Sequence, residues 1–551
     1  MCRSCDDFVT TLRGRDLVTE LSLIRHRGRV LCNAPRSTIG DMLARLTTFA
    51  IDGLASRRIT VEVDLRTGLP GFTIVGRGDA AVRESRERVH SAVRNSGFEF
   101  PNRRVTVNLA PAYLPKSGPG YDLATACGLL VASGQVPAER VDRWAVFGEL
   151  SLGGELRPCS GALAVAEGAR RHGLDGLIVP RECAAEAGLV EGVAVAGVGD
   201  LAGVAAILRG DPPPELPTAP SADARGPDVA DLRDVRGHAA PIRALTIAAA
   251  GGHNTLLVGP PGTGKTMLAR RLGGILPPLT RDEALQVTRI HSLAGLRRGG
   301  GGLITERPFR APHHTISSSG LVGGGAHPGP GEASLAHHGV LFLDELSEFA
   351  RSALEALRQP LEDRQVTIVR GQRAALLPTS FMLVAATNPC PCGRGIRACE
   401  CTTADHNRHR RRLSGPLLDR IDLHVGVERP DEAMLSAPPL ASSASVREEV
   451  LAARERQAAR LQGTGASCNA DMPQALAPRA SELHLGAREA LRDAYADGTL
   501  SARGHGRVLR VARTIADLEG REGIEDRHVL EAISLRRSHD LERPEDRRAA
   551  A

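Results

Sequence analysis

The apolar positions of this chain change period along its length. Between residues 42 and 210, short β-rich runs at 58–63, 72–75, 104–109 and 177–179 are interleaved with stretches of helical spacing at 80–96 and 160–172, which predicts an α+β domain. Residues 211–227, rich in proline and small polar side chains, read as a stiff exposed linker. From 228 to 428, wholly apolar runs at 255–258, 340–343 and 381–386 alternate with helices, the pattern of a parallel sheet covered on both faces. A second stretch rich in proline, alanine and serine, 429–445, ends that domain. Residues 446–540 show helical periodicity only, clearest at 507–518 and 526–535, and predict an all-helical lid, with 541–551 as a charged tail. The expected fold class is multidomain α/β, and 551 residues suit three domains of roughly 100–200 residues each.

Residues 1–41 contain arginine and cysteine but no apolar core with a small-residue cleavage site. They read as an extension before the first patterned segment, which opens at Met42, from an upstream start codon or a disordered leader. Hydrophobic residues make up 42% and charged residues 24%, with no apolar run long enough to span a bilayer, so a cytoplasmic location is expected. A net charge of +6 spread over the whole chain decides little about partners, so local clusters matter more. Aromatic residues are only 3%, which argues against extensive base stacking.

The chemistry begins at Gly259-Pro260-Pro261-Gly262-Thr263-Gly264-Lys265-Thr266, which matches the phosphate-binding loop at every fixed position, follows an apolar strand and opens a helix. Glycines let backbone N–H groups converge on phosphate, Lys265 reaches the outer phosphates of ATP, and the Thr266 hydroxyl ligates Mg²⁺. Val340-Leu-Phe-Leu-Asp344-Glu345 ends a buried strand in two carboxylates, Asp344 for the metal and Glu345 for the attacking water. Alone, such a pair is more often a solvated loop; its place downstream of the phosphate loop changes that reading. Phe381-Met-Leu-Val-Ala-Ala-Thr-Asn388 offers a third strand whose terminal amide can sense the γ-phosphate or orient water.

These motifs, with Arg307-Pro-Phe-Arg-Ala-Pro-His-His-Thr-Ile-Ser, Leu321-Val-Gly-Gly-Gly and Ser414-Gly-Pro-Leu-Leu-Asp-Arg-Ile-Asp, occur in an order that resembles the magnesium-chelatase-like AAA+ ATPases called ComM or YifB. The resemblance runs from Met42 to about Arg537. It implies a ring, usually a hexamer, in which Arg420 acts on the neighbouring subunit's nucleotide, and a second sensor at Arg503, with Arg507 as the alternative. A planar guanidinium suits the first task because it spreads charge over the γ-phosphate oxygens. The resemblance also implies a motor on single-stranded or branched DNA that promotes branch migration during natural transformation, with no membrane partner. A magnesium-chelatase-type remodeller of a partner protein is the alternative. His313 and His314 match the family motif without an assignable chemistry. The family's Gly-Leu-Pro-Asp before Ala-Ala-Val-Arg-Glu-Ser is replaced here by Gly76-Arg77-Gly78-Asp79.

Residues 42–210 resemble the proteolytic domain of Lon, which raises an ATP-dependent protease as a further alternative. Where Lon carries its serine this chain has Gly120, and Leu163 stands at the lysine, so the acyl-enzyme route has neither nucleophile nor base. Lys116 and Ser117 are adjacent and should point to different sides. The domain therefore reads as an inactive scaffold.

Of eleven cysteines, four crowd into one stretch as Cys390-Pro-Cys392 and Cys399-Glu-Cys401. Four soft ligands suit a structural, tetrahedral Zn²⁺, with His406 or His409 as substitutes; a reduced, redox-sensitive loop is the bland reading. Residues 365–377 read as a β-hairpin. By analogy with the pore hairpins of the related MCM helicases, Arg370 and Arg373 are candidate DNA contacts that would neutralise phosphates without reading bases. A solvated charged hairpin is the alternative.

Overall fold

The computed structural model describes residues 43–76, 78–214, 230–297, 302–324, 329–370, 373–394, 399–413, 415–473, 476–477, 482–498 and 500–536. The expected extension 1–41, most of the linker 211–227, and the tail 541–551 lie outside these residues.

The N-terminal domain is built on a seven-stranded mixed sheet. Leu43–Asp52 and Ala55–Arg66 form a long hairpin, Arg104–Ala110 adds antiparallel to it, and Gly71–Val75 lies parallel at the edge. On the other side, Trp144–Val146, Gly176–Pro180 and Ala194–Val198 continue in parallel. Helices Ala80–Asn95 and Ala162–Arg171 agree with the periodic stretches, the first capped by the Asp79 carboxylate on the Val82 amide at 3.0 Å. Asp79 also accepts from the Gly118 amide at 3.0 Å, so the divergent turn at 76–79 keeps a cap. Arg77 lies outside the described residues.

The central domain carries five parallel strands in the order Phe309–Arg310, Val340–Leu343, Met382–Thr387, Thr255–Val258, Leu423–Gly426. Because successive side chains of a strand point to opposite faces, these strands feed two cores. Leu257, Phe342, Val384 and Val425 pack on one face with helices Ala239–Gly251 and Lys265–Ile275. Leu256, Leu341, Leu343 and Ala385 pack on the other with Leu346, Leu354 and Leu417. Both faces being covered explains why the strands read as unbroken apolar runs.

The C-terminal helices Ser443–Leu461, Leu485–Ala496, Ala502–Leu518 and Asp526–Ser534 share the first of these cores through Val450, Leu491, Leu509 and Val529. The lid is not wholly helical: Glu482–Leu483 and Gly523–Ile524 pair in parallel, too short a ladder to produce a period in the sequence. The stretch 429–445 is not featureless either. It holds the short helix Glu432–Ser436, and the first C-terminal helix, capped by Ser442, starts at Ser443, three residues before the helical period expected from 446. Among the described residues no helix is long and apolar enough to cross a membrane.

The central domain is also bound to the N-terminal one. Glu186, 6% exposed, accepts from the Ser292 hydroxyl at 2.6 Å and the Leu163 amide at 2.9 Å, while Arg289 pairs with Glu167.

Candidate functional site

Parallel pairing of Val258 with Thr387, and of Leu343 with Ala385, brings three strand ends to one edge of the sheet. Gly259, Asp344 and Asn388 therefore emerge side by side. A Cβ at Gly259 would lie 2.1 Å from the Val427 carbonyl oxygen, so the loop leaves its strand through a gap that admits only glycine. Gly264 takes the left-handed conformation at φ 88°, and the helix opens at Lys265 with its first N–H groups free for an anion. The Lys265 ammonium donates to the carbonyls of Gly259 at 2.6 Å and Pro260 at 2.8 Å and to the Asn388 side-chain oxygen at 3.3 Å. Burial pulls its pKa below the ordinary lysine value, against the opposing charges of Asp344 and Glu345. Thr263 ties the same loop to the Pro260 carbonyl at 2.9 Å. The Thr266 hydroxyl donates to Asp344 at 2.6 Å. A hydroxyl and a carboxylate so paired fit the oxygen-ligand chemistry of Mg²⁺, and Lys265 with the helix N-terminus fits the phosphates of ATP.

Glu345 follows in a left-handed conformation, φ 51° and ψ 51°, with its amide donating to Asp344 at 3.0 Å and its side chain 60% exposed. Its carboxylate stands 3.5 Å from His314 Nδ1. The ring of His313 lies 4.1 Å from that of His314, and Phe349 meets His314 edge-on. The segment that presents them is anchored by Arg310, which pairs twice with Glu332 at 2.6 and 2.8 Å. His314 is thus a site residue for which sequence reasoning had no role; the paired histidines of its motif were the only signal.

Arg420 lies elsewhere. It precedes the strand Leu423–Gly426, and its carbonyl accepts from Asn254, the residue before the phosphate-loop strand, at 3.0 Å. It therefore occupies the N-terminal edge of the sheet, a strand length of roughly 13 Å from the edge that carries Lys265. Its guanidinium is paired with Glu362 and donates to the Pro416 carbonyl at 2.5 Å. It lines a cavity of about 370 Å³ together with Arg307, Arg364, Arg454, Arg507 and Arg510. Arg507 donates to Asp422 at 2.9 Å on this same side. Burial would raise the Asp422 pKa, but His253 and Arg507 hold it well below the usual carboxylate range. Arg503 is exposed in the first turn of its helix, where neighbouring Gly504 approaches Arg536, which donates to the Ile421 carbonyl at 3.0 Å. That turn is anchored at the Arg420 edge.

The four cysteine sulfurs, Cys390, Cys392, Cys399 and Cys401, lie within 4.8 Å of one another. His406 Nε2 is 3.3 Å from the Cys399 sulfur, whereas His409 bonds the Asn388 carbonyl at 2.9 Å. The hairpin forms as expected from Gln365–Arg370 and Arg373–Pro378, with Arg370 opposite Arg373 at its end. In the N-terminal domain, a Cβ at Gly120 would lie 2.6 Å from the Phe147 ring, and Leu163 is fully buried. Lys116 is buried on the Pro111 carbonyl at 2.5 Å while Ser117 is exposed, so the two do point apart.

Three family models cover most of the chain: magnesium chelatase, subunit ChlI, over residues 231–435; subunit ChlI of Mg-chelatase over 61–183; and the ChlI C-terminal region over 441–536. An uncharacterised protein of Mycobacterium tuberculosis is 44% identical over 498 residues, 90% of this chain and 99% of its own length. The uncharacterised protein YifB of Salmonella typhimurium is 46% identical over 505 residues, 90% of this chain and 97% of its own. Competence protein ComM of Haemophilus influenzae is 41% identical over 512 residues with the same coverage. With identity of this level along nearly the whole of its relatives, and the phosphate-loop motif assembled with Asp344 and Asn388 at one edge of the sheet, the chain belongs to the ComM/YifB family of magnesium-chelatase-like AAA+ ATPases.

Proposed function

We propose that this protein hydrolyses ATP as a ring of identical subunits, a hexamer by the family resemblance, and uses the energy to move along single-stranded or branched DNA in the cytoplasm. The observation that carries the reading is the division of the machinery between two edges of one sheet. Lys265, Thr266, Asp344, Glu345 and Asn388 stand at one edge and Arg420 at the other, so a complete site needs the Arg420 edge of a second copy. Bound ATP–Mg²⁺ supplies the phosphoryl group and the divalent charge. In that site Thr266 and Asp344 hold the metal, Lys265 leaves its loop carbonyls for phosphate oxygens, Asn388 orients water and Glu345 takes the water proton. Arg420, released from Glu362, faces the neighbour's γ-phosphate. Arg503, or Arg507 one turn after it, would serve the same interface as the second sensor.

The DNA reading rests on the hairpin end at Arg370 and Arg373 and on similarity to a protein named for competence. Two arginines at a hairpin end favour phosphate contacts that ignore sequence and weaken steeply with salt. The test is ATP hydrolysis with and without single-stranded and three- or four-way junction DNA, with Glu345→Gln as control. DNA stimulation together with ATP-dependent junction resolution that Glu345→Gln abolishes supports the motor. Robust hydrolysis indifferent to every DNA at low salt sinks it and leaves remodelling of a partner protein, as the magnesium-chelatase models suggest, as the working reading.

A further inference from the structure

The loop that follows Asn388 carries more than the nucleotide site uses. The sulfurs of Cys390 and Cys392 are 3.3 Å apart, those of Cys390 and Cys399 3.5 Å, and those of Cys392 and Cys399 3.8 Å. These are too long for a disulfide, whose sulfurs lie about 2.05 Å apart. They are close to the edge of about 3.8 Å expected between sulfurs of a tetrahedron with Zn–S bonds of about 2.3 Å. Three of the four sulfurs stand at this separation and all four lie within 4.8 Å of one another, so two Cys-x-Cys turns converge their side chains on one point and present the donor set of a tetrahedral thiolate site. His406 supplies the outer partner that such sites commonly have, a ring nitrogen 3.3 Å from the Cys399 sulfur. Arg394 and Glu400 pair with each other on either side of the cluster.

The cluster is also wedged against the nucleotide site. Cys390 is two residues beyond Asn388, and Gly393, at φ 69°, is so close to the phosphate loop that a Cβ would lie 2.9 Å from Pro261. After Cys401 the chain enters the helix Thr403–Arg412, whose His409 bonds the Asn388 backbone carbonyl. Asn388 is therefore held from both sides of the cysteine knot. We infer that Cys390, Cys392, Cys399 and Cys401 bind one structural Zn²⁺ per chain, and that this ion braces Asn388 against the phosphate loop. Zn²⁺ displaces the thiol protons and closes a knot that links the sensor strand to the helix leading toward Arg420.

The test uses the full chain purified under reducing conditions without added metal. Elemental analysis is expected to give one zinc per chain, lost in the Cys399→Ser/Cys401→Ser double variant. Should that variant not fold, wild-type protein grown on cobalt is expected to show the thiolate charge-transfer and tetrahedral d–d absorption of a CoS₄ centre. Iron in place of zinc, substoichiometric metal, or a cobalt spectrum without these bands overturns the site. The bracing role rests on the ATPase reading, whereas the metal content does not, so the two can fail separately. Stripping zinc with a chelator is expected to lower turnover about 10–100-fold and leave binding of a fluorescent ATP analogue within about threefold, both restored by zinc. Equal loss of binding and turnover, or no loss of either, overturns the brace.

Discussion

The Nδ1 of His314 stands 3.5 Å from the Glu345 carboxylate, and this contact brings the segment 307–316 to the residue proposed to activate water. His314 is itself confined between the His313 ring and Phe349. A base aimed from an exposed, left-handed position needs such a neighbour to limit its rotamers. His314→Ala is expected to lower kcat about tenfold with nucleotide affinity unchanged, and His314→Gln to recover part of it. Steady-state ATPase kinetics check this, and an unchanged kcat would remove His314 from the site.

Separation of Arg420 from Lys265 by the length of the strands predicts complementation. Arg420→Ala and Lys265→Ala are each expected to lose hydrolysis by at least about 10³-fold. Mixed and reassembled, they should recover activity, since an Arg420→Ala subunit keeps its own loop and borrows the arginine of a Lys265→Ala neighbour. Mixtures as inactive as the parents would mean that Arg420 does not act across subunits.

Acidification should loosen the central domain through His337. Burial, then the neighbouring His338, pushes its pKa down to about 3, and its Nδ1 accepts the Ser380 amide at 3.0 Å while Nε2 faces Gln286. The folded chain thus holds His337 neutral where the unfolded chain, titrating near 6.5, binds a proton. Its stabilising contribution is complete above pH 6.5 and falls as pH drops toward 3, by up to about 1.4 kcal/mol per pH unit. His337→Asn, which keeps an acceptor for Ser380, is expected to flatten the dependence of melting temperature on pH between 7 and 5. An unchanged slope would place the acid sensitivity elsewhere.

In the N-terminal domain, Asp122 is fully buried and paired with Arg88 at 2.7 and 3.1 Å. Removing one partner strands the other charge, so Asp122→Ala is expected to cost about 3–5 kcal/mol, and Arg88→Met/Asp122→Leu much less. Calorimetry of the N-terminal transition reads the difference. Equal losses in the single and double variants would mean that packing, not the stranded charge, sets the cost.

The same domain should not cleave protein. The position that the resemblance to Lon gives to the nucleophile is Gly120, closed off by Phe147, and Ser117 and Lys116 face different surroundings. Casein incubated with the protein and ATP is expected to stay intact. Degradation that Ser117→Ala abolishes would reverse that reading.

Local signals were enough where chemistry is contiguous. The bounds of Thr255–Val258 and Val340–Leu343 were legible from apolar runs alone, because a strand covered on both faces has no polar positions to blur them. Gly259 to Thr266, Asp344 and Asn388 were legible because each sits at the end of such a strand, where helix or turn chemistry demands particular residue types. The short ladder of Glu482–Leu483 with Gly523–Ile524 was not, since two residues have no period.

What remained for the tertiary structure to decide depends on contacts between distant segments. The sequence by itself determined the phosphate-loop motif, the acidic strand end and the cysteine quartet, whose meaning lies in residue type and spacing within one short stretch. Only the folded chain decided that His314 faces Glu345, that Gly393 rests on Pro261 and that Arg420 stands on the edge away from its own loop. Strand order and register set those relationships. They arise from packing two cores against one sheet, an energy summed over many weak contacts that no local stretch of sequence records.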